Sequence, residues 1–476
     1  MHKLLLLGDE AIGTPSTEIM EYIQASPQAA ADGVHREWSS NEKTAMEAAL
    51  GMSYAGKRAM VAMKHVGLNV AADAFINSAV TGVNGGLVVV SADDPSMHSS
   101  QNEQDSRFYG KFALVPVMEP RNQQEAYDMI FEAFALSEKY RLPVLFRITT
   151  RLAHSRSSVA RREKIAQNSV ALPSNPRQFV LLPAIARKQY RALTAVYEKL
   201  RTDDAVDGLN RLKSGNGRGT GVITCGIAYN YLMENIADRA GDYHVLSVGA
   251  YPLKREKVAA LVENCDRVLV LEEGYPIIEE QLRGLLDRDV KVLGRMDGTV
   301  PRDGELNPSI VASALGLRAG QGREVPSLVR QRPPSFCKGC GHADLYQALS
   351  EVMAEAGPGR VFSDIGCYTL GALPPYNMVN SCVDMGASVT MAIGAADAGL
   401  FPAVAVIGDS TFTHSGMTGL LDAVIKNSPV TLIISDNSTT GMTGGQKSQA
   451  TDRLESICLG LGVDPDHLKV IVPLRK

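Results

Sequence analysis

The sequence is poor in the residues that mark specialised protein classes: one tryptophan, seven cysteines and 6% aromatic side chains in 476 residues. Seven cysteines over this length are too few to staple a fold, which excludes a disulfide scaffold and suits the reducing cytoplasm. No apolar run reaches the roughly 18 residues of a membrane helix. The opening Met1-His2-Lys3-Leu4-Leu5-Leu6-Leu7 is too short for a signal core before Gly8-Asp9-Glu10. The net charge of −4 carries none of the basic excess that nucleic-acid binding leaves. The expectation is a soluble cytoplasmic protein with no nucleic-acid and no membrane partner.

What remains is ordinary globular composition, 45% hydrophobic and 21% charged, in a chain long enough for about three domains of ~150 residues. Apolar runs alternate with helical periodicity, which predicts an α/β fold with mostly parallel sheets. Residues 1–155 alternate strands such as Ala59 to Met63 and Gly86 to Val90 with helices such as Asn41 to Tyr54 and Gln123 to Tyr140. Residues 156–219, rich in Arg, Ser, Asn and Pro, read as a connecting arm. A second α/β unit spans 220–318, a Gly-, Arg- and Pro-rich linker 319–335, and a third unit 336–476.

The third unit holds the most informative pattern. Ala403 to Ile407 reads as a buried strand ending in Gly408-Asp409-Ser410, and Val430 to Ser435 as a second strand delivering Asp436 and Asn437 to the same sheet edge. Asn437 follows Ser410 after 26 intervening residues. Leu420, Leu421, Val424 and Ile425 are spaced as on one helical face between the strands, which makes a strand-helix-strand crossover. Either half alone is ordinary turn chemistry, since Gly, Asp, Asn and Ser dominate turns. Together they pair two oxygen ligands, with the Thr439 carbonyl beside them, and magnesium takes such oxygen ligands together with substrate phosphates. The glycines of Gly441-Met442-Thr443-Gly444-Gly445 let backbone N–H groups approach an anion.

Two other stretches invite chemistry. Cys337-x-x-Cys340, with Cys367, fits a zinc knuckle, a redox dithiol, part of an iron-sulfur site, or buried thiols that only pack. Cys225, Cys265, Cys382 and Cys458 read as small buried hydrophobes. Glu42 opens a helix, where a carboxylate complements the helix dipole without any further role. Lys64 and His65 fit a solvated loop as well as a reaction centre, and Asn69 fits a helix cap.

The Asp409–Asn437 pattern resembles the thiamin diphosphate signature. Several further stretches resemble the 2-oxoacid:ferredoxin oxidoreductases, and most closely the alpha subunits of their indolepyruvate branch. They are Gly13-Thr14-Pro15-Ser16-Thr17, Glu37-Trp38-Ser39-Ser40-Asn41-Glu42, Met63-Lys64-His65-Val66-Gly67-Leu68-Asn69, Ser91-Ala92-Asp93-Asp94-Pro95, Leu271-Glu272-Glu273-Gly274-Tyr275-Pro276, Phe336-Cys337-Lys338-Gly339-Cys340-Gly341-His342, Asp364-Ile365-Gly366-Cys367 and Asp384-Met385-Gly386-Ala387-Ser388. The likeness covers nearly the whole chain. It implies a pyrimidine-binding thiamin fold over 1–155 and a diphosphate-binding one over 336–476, flanking a transketolase C-terminal-like domain.

The resemblance further implies roles. Glu42 is the acid that activates the cofactor, Thr14 lies near the substrate carboxylate, and Lys64, His65 and Asn69 line the reaction centre. Gly408, Asp409, Ser410, Asn437, Thr439, Gly366, Cys367, Asp384, Met385 and Gly386 bind thiamin diphosphate, with Asp409, Asn437 and the Thr439 carbonyl on Mg2+. Cys337, Cys340 and Cys367 help hold a [4Fe-4S] cluster, for whose fourth ligand Cys382 and Cys458 are the uncertain candidates. The reaction is oxidative decarboxylation of a 2-oxo acid such as indolepyruvate. Coenzyme A takes the acyl group, ferredoxin takes the electrons, and a smaller beta subunit completes an oligomer. No residue by itself selects an aromatic substrate. Relatives carry a further helix and strand where Ile12 here runs directly into Gly13; without them the sheet must rearrange or the first domain is weakened, and Thr14 is displaced. Many also continue past Val470-Ile471-Val472-Pro473 into a two-cluster module. A non-redox 2-oxo acid decarboxylase would need Glu42, Asp409 and Asn437 but no cluster, and an inert binding chain would need none of them.

Overall fold

The computed structural model describes residues 4–7, 26–216, 219–283, 290–318, 325–329, 335–357, 359–441 and 445–472. The expectations placed on Thr14, on the Ile12–Gly13 junction and on Met442, Thr443 and Gly444 lie outside the described residues. Runs of Val, Leu and Ile without alternation mark strands buried on both faces, and three sheets are built from them. In the first, β1 (Leu4–Leu7), β2 (Arg36–Trp38), β3 (Ala59–Lys64), β4 (Leu87–Asp93), β5 (Val117–Met118) and β6 (Val144–Thr149) lie parallel in the order β5-β6-β4-β3-β1-β2. Every residue of β4 is buried.

The second sheet uses β7 (Arg211–Lys213), β8 (Gly219–Cys225) and β9 (Tyr243–Val248). The chain then lends β10 (Ala250–Tyr251) to the first sheet, antiparallel to β5, before β11 (Cys265–Leu271) and β12 (Lys291–Leu293) complete the order β12-β11-β8-β9-β7. Only the β7 edge of this sheet is antiparallel. The third sheet, from β13 (Arg360–Ser363), β14 (Ser381–Cys382), β15 (Ala403–Gly408) and β16 (Val430–Ser435), is wholly parallel in the order β14-β13-β15-β16. The short strands β17 (Thr439–Thr440) and β18 (Gln446–Lys447) pair antiparallel beyond it. The expected α/β class with mostly parallel sheets is what the structure shows. Residues up to 318 form one compact unit with the first two sheets, and those from 325 onward form a second.

Five helices matter to the first unit: α1 (Glu42–Tyr54), α2 (His65–Val70), α3 (Ala72–Thr81), α4 (Arg107–Ala113) and α5 (Gln123–Tyr140). Asn41 caps α1 by accepting from the Thr44 N–H at 2.8 Å, while the Thr44 hydroxyl accepts from the Asn41 N–H at 3.3 Å, which satisfies two donors that a helix start leaves open. Along the arm, residues 156–174 have no regular structure, and α6 (Pro183–Leu200) begins seven residues earlier than the amphipathic section around Tyr190 to Leu200 read from the sequence.

The two sheets of this unit are joined by buried charge. Arg107 donates to Asp105 at 2.5 Å and to Glu272 at 2.9 Å, and Arg147 donates to Asp93 at 2.6 Å and to Glu119 at 2.5 Å. Burial alone would raise the Asp105 carboxyl, but the two guanidinium groups overcome it and hold it at about 2. Asp93 and Glu272, both from the resemblance motifs, therefore serve the architecture.

In the second unit, α7 (Gly341–Ala356), α8 (Ala387–Asp397) and α9 (Met417–Lys426) accompany the sheet. The crossover from β15 to β16 through α9 is present as expected. The helical face is only partly the expected one: Leu420 is buried and Val424 packs against the same core, together with Gly419 and Ala423, whereas Leu421 and Ile425 are 40% and 71% exposed.

Candidate active site

In the first unit, β2 leads through Asn41 to Glu42 at the start of α1, and β3 ends at Lys64 where α2 begins. Glu42 has no solvent exposure. Its side chain lies against the Gly67 backbone: a Cβ on Gly67 would fall 2.5 Å from Glu42 Cγ. Lys64 and His65 are buried as well, which corrects the solvated-loop alternative. The Lys64 ammonium donates to the Ser99 carbonyl at 2.5 Å, and the His65 ring nitrogens lie 3.3 Å from the Ala92 and 3.1 Å from the Asn102 carbonyl oxygens. Asn69 is exposed; its amide donates to Gln104 at 2.6 Å and its oxygen accepts from the Tyr109 hydroxyl. Lys64, His65 and Asn69 thus fasten the segment 92–109 over the strand ends around Glu42.

In the second unit, parallel pairing of β15 with β16 matches Gly408 to Ser435, so Asp409 and Asp436 leave the sheet at one edge. Asp409 is 3% exposed, and its Oδ2 has no hydrogen-bond partner among the described residues. Burial, with the nearby Asp436 carboxylate, pushes Asp409 up to about 6. A buried carboxylate raised this way, with one oxygen unsatisfied, is the donor a cation would complete. The Ser410 hydroxyl lies 2.7 Å from that of Thr440. Asn437 is exposed, and its side-chain oxygen accepts from the Thr439 N–H at 3.2 Å. Gly408, Asp409 and Ser410 end β15 at the sheet edge that β16 leaves for Asn437 and Thr439, and oxygen donors of this kind would suit a magnesium diphosphate.

The other cofactor candidates surround this edge through two residues that sequence reasoning did not select. Asp364, just after β13 and wholly buried, accepts from the Gly386 N–H at 2.8 Å, the Ser388 N–H at 3.1 Å and the Ser388 hydroxyl. It ties down the Asp384-Met385-Gly386 turn, where Gly386 takes the left-handed φ of 97°. Burial pushes Asp364 up to about 6. The Tyr368 ring occupies the space that a side chain at Gly366 or Gly408 would need, and its hydroxyl donates to the Ile365 carbonyl at 2.9 Å and lies 3.1 Å from that of Thr411. Both residues stand in or beside the quoted Asp-Ile-Gly-Cys motif, the one signal that could have found them.

Cys337 is exposed, and Cys340 and Cys367 are half-buried. Burial, then the Cys340 and Cys337 thiols, raise the Cys367 thiol. Cys367 also faces Gly441, whose Cβ would lie 3.9 Å from the sulfur. Cys340 Sγ lies 3.3 Å from the His342 Nδ1. Among the described residues, no three His, Cys, Asp or Glu side chains converge as a single metal ion requires. Cys382 is half-buried near the Asp364 carbonyl and Cys458 is buried in the core.

Comparison with known proteins agrees with both halves. The pyruvate flavodoxin/ferredoxin oxidoreductase thiamine diphosphate-binding family matches residues 13–193, and the C-terminal TPP-binding domain of thiamine pyrophosphate enzymes matches 364–471. The chain is therefore a thiamin diphosphate enzyme. The indolepyruvate oxidoreductase subunit IorA of Methanothermobacter marburgensis is 40% identical, the alignment covering 93% of this chain and 76% of that protein. The subunit IorA of Archaeoglobus fulgidus is 38% identical, with 97% and 81% covered. Among solved structures, 2-oxoglutarate:ferredoxin oxidoreductase from Magnetococcus marinus superposes with a TM-score of 0.49 at 15% identity, over 62% of this chain and 59% of that one. The chain belongs to the indolepyruvate oxidoreductase IorA family of 2-oxoacid oxidoreductases. Among the described residues no helix is long and apolar enough to cross a membrane.

Proposed function

We propose that this chain oxidatively decarboxylates an arylpyruvate such as indolepyruvate. In this reading coenzyme A receives the acyl group, ferredoxin receives the electrons, and a smaller beta subunit completes a cytoplasmic oligomer. The single observation that carries the site assignment is Asp409, a buried carboxylate with an unsatisfied oxygen at the edge where two parallel strands end. When bound, thiamin diphosphate supplies a nucleophilic carbon for the 2-oxo carbonyl and an electron sink as carbon dioxide leaves. Asp409, the Asn437 side-chain oxygen and the Thr439 carbonyl hold the magnesium, and with Ser410 and Gly408 they receive the diphosphate. Asp364 fixes the Asp384–Gly386 turn, and Tyr368 fixes Gly366 and Gly408. The buried Glu42 carboxyl would hydrogen-bond the pyrimidine ring nitrogen, the role the family resemblance gives it. Lys64, His65 and Asn69 keep segment 92–109 in place around it, and the resemblance assigns Thr14, outside the described residues, to the substrate carboxylate.

Cys337, Cys340 and Cys367 are the proposed anchorage for electron exit. Cys367 stands beside Gly441, its sulfur 3.9 Å from where a Cβ there would lie, which supports its part in the assignment. The deciding experiment is the content of iron, acid-labile sulfide, magnesium and thiamin diphosphate in protein purified anaerobically with its beta partner. Iron and sulfide with stoichiometric thiamin are expected. Thiamin without iron would favour the non-redox decarboxylase, and loss of both would sink the enzymatic assignment of these residues.

A further inference from the structure

We propose that Gly67 is a positioning residue for the Glu42 carboxyl. The proposal rests on the role of Glu42 given above. Gly67 is buried inside α2, where glycine is among the least favourable helical residues. Its backbone gives no reason for glycine, since it is absent from the positions with left-handed φ. The reason lies across the contact: a Cβ there would fall 2.5 Å from Glu42 Cγ and 2.9 Å from both Cδ and Oε1, well inside the separation at which non-bonded atoms rest.

Neither backbone can retreat. Below Glu42, α1 is held by the Asn41–Thr44 cap and by Ala45, Met46 and Ala49, all without solvent exposure. Beneath Gly67, α2 is held by Leu68, also without exposure, and by His65 between two carbonyl oxygens. A methyl group at position 67 must therefore turn the Glu42 side chain away. The same molecule contains its own control, because Gly51 in α1 has nothing within 4 Å of its would-be Cβ.

The test uses holoenzyme reconstituted with thiamin diphosphate and magnesium, following exchange of the thiamin C2 proton into deuterated water by NMR after acid quench. Gly67→Ala is expected to slow exchange on the order of 100-fold, as small misplacements of a reacting group do, and to melt somewhat lower, since overpacking a buried contact costs stability. Gly51→Ala should exchange at the wild-type rate. Gly67→Ala at the wild-type rate overturns the proposal. Glu42→Gln at the wild-type rate removes the role of Glu42, and the proposal with it. Slow Glu42→Gln beside fast Gly67→Ala refutes the positioning alone. Should Gly67→Ala not fold, Glu42→Ala/Gly67→Ala carries the test. Without Cγ the methyl group has room, so the double variant should melt as Glu42→Ala does, and a further loss of melting temperature overturns the proposal.

Discussion

Asp409 and Asp364 are both buried carboxylates raised to about 6, and their different surroundings give them different work. Asp364 spends its oxygens on Gly386 and Ser388. Asp364→Ala would leave these buried donors without an acceptor, at about 1–3 kcal/mol for an unsatisfied group. The expected outcome is a lower melting temperature together with faster hydrogen exchange at the Gly386 and Ser388 amides, and Asp364→Asn should lose less. Asp409 keeps an unsatisfied oxygen. Asp409→Asn relieves repulsion from Asp436, so the metal-free protein should be no less stable by thermal melting. Magnesium-dependent thiamin diphosphate affinity by calorimetry should fall by roughly 10- to 100-fold, the range seen when support of a metal site is lost. Unchanged affinity would remove Asp409 from the ligand set.

Elements put these residues where they act. Parallel strands joined by a helix end at one edge of the sheet, so β15 and β16 deliver Asp409 and Asp436 together, and the Tyr368 ring then decides how close the β15 turn comes to β13. Gly408→Ala would set a Cβ 2.6 Å from Tyr368 Cε1, and overpacking of this kind costs about 1–3 kcal/mol. Chemical denaturation should show that loss, and Tyr368→Leu in the same chain should recover part of it. Additive losses in the double variant would mean that the ring and the glycine are not coupled. At the other site, Asn41→Ala removes the α1 cap and should cost about 1 kcal/mol, measured the same way.

At the scale of the whole molecule, the first two sheets share buried charge. Burial, only partly offset by Arg107, pushes Glu272 up to about 7 from an ordinary 4.5. Between those values the folded chain binds a proton that the unfolded chain releases. The contribution of this group is therefore fully present below about 4.5 and is lost as pH rises through about 7. Glu272→Gln does not titrate, so its melting temperature relative to wild type should rise between about pH 5 and pH 8. A flat difference would contradict the raised acid. Asp105 has the opposite sign: held at about 2, its contribution is present above 3.8 and lost as pH falls toward 2. Arg107→Leu strands Asp105 and Glu272 and should cost about 3–5 kcal/mol.

The sequence by itself determined the α/β class, the crossover that brings Asp409 and Asn437 to one edge, and the stretches that place the chain in its family. Those are consequences of local periodicity and of spacing along one supersecondary unit, which short-range rules read directly. Only the tertiary structure decided which stripe of α9 is covered, because the apolar period sets a face while the packing partner sets which face. It also decided that Lys64 and His65 are buried, that Gly67 stands against Glu42, that Tyr368 fills the space beside Gly366 and Gly408, and that Arg107 meets Glu272 across 165 residues of chain. Such contacts join segments far apart in sequence, and side-chain packing fixes them without leaving a period behind.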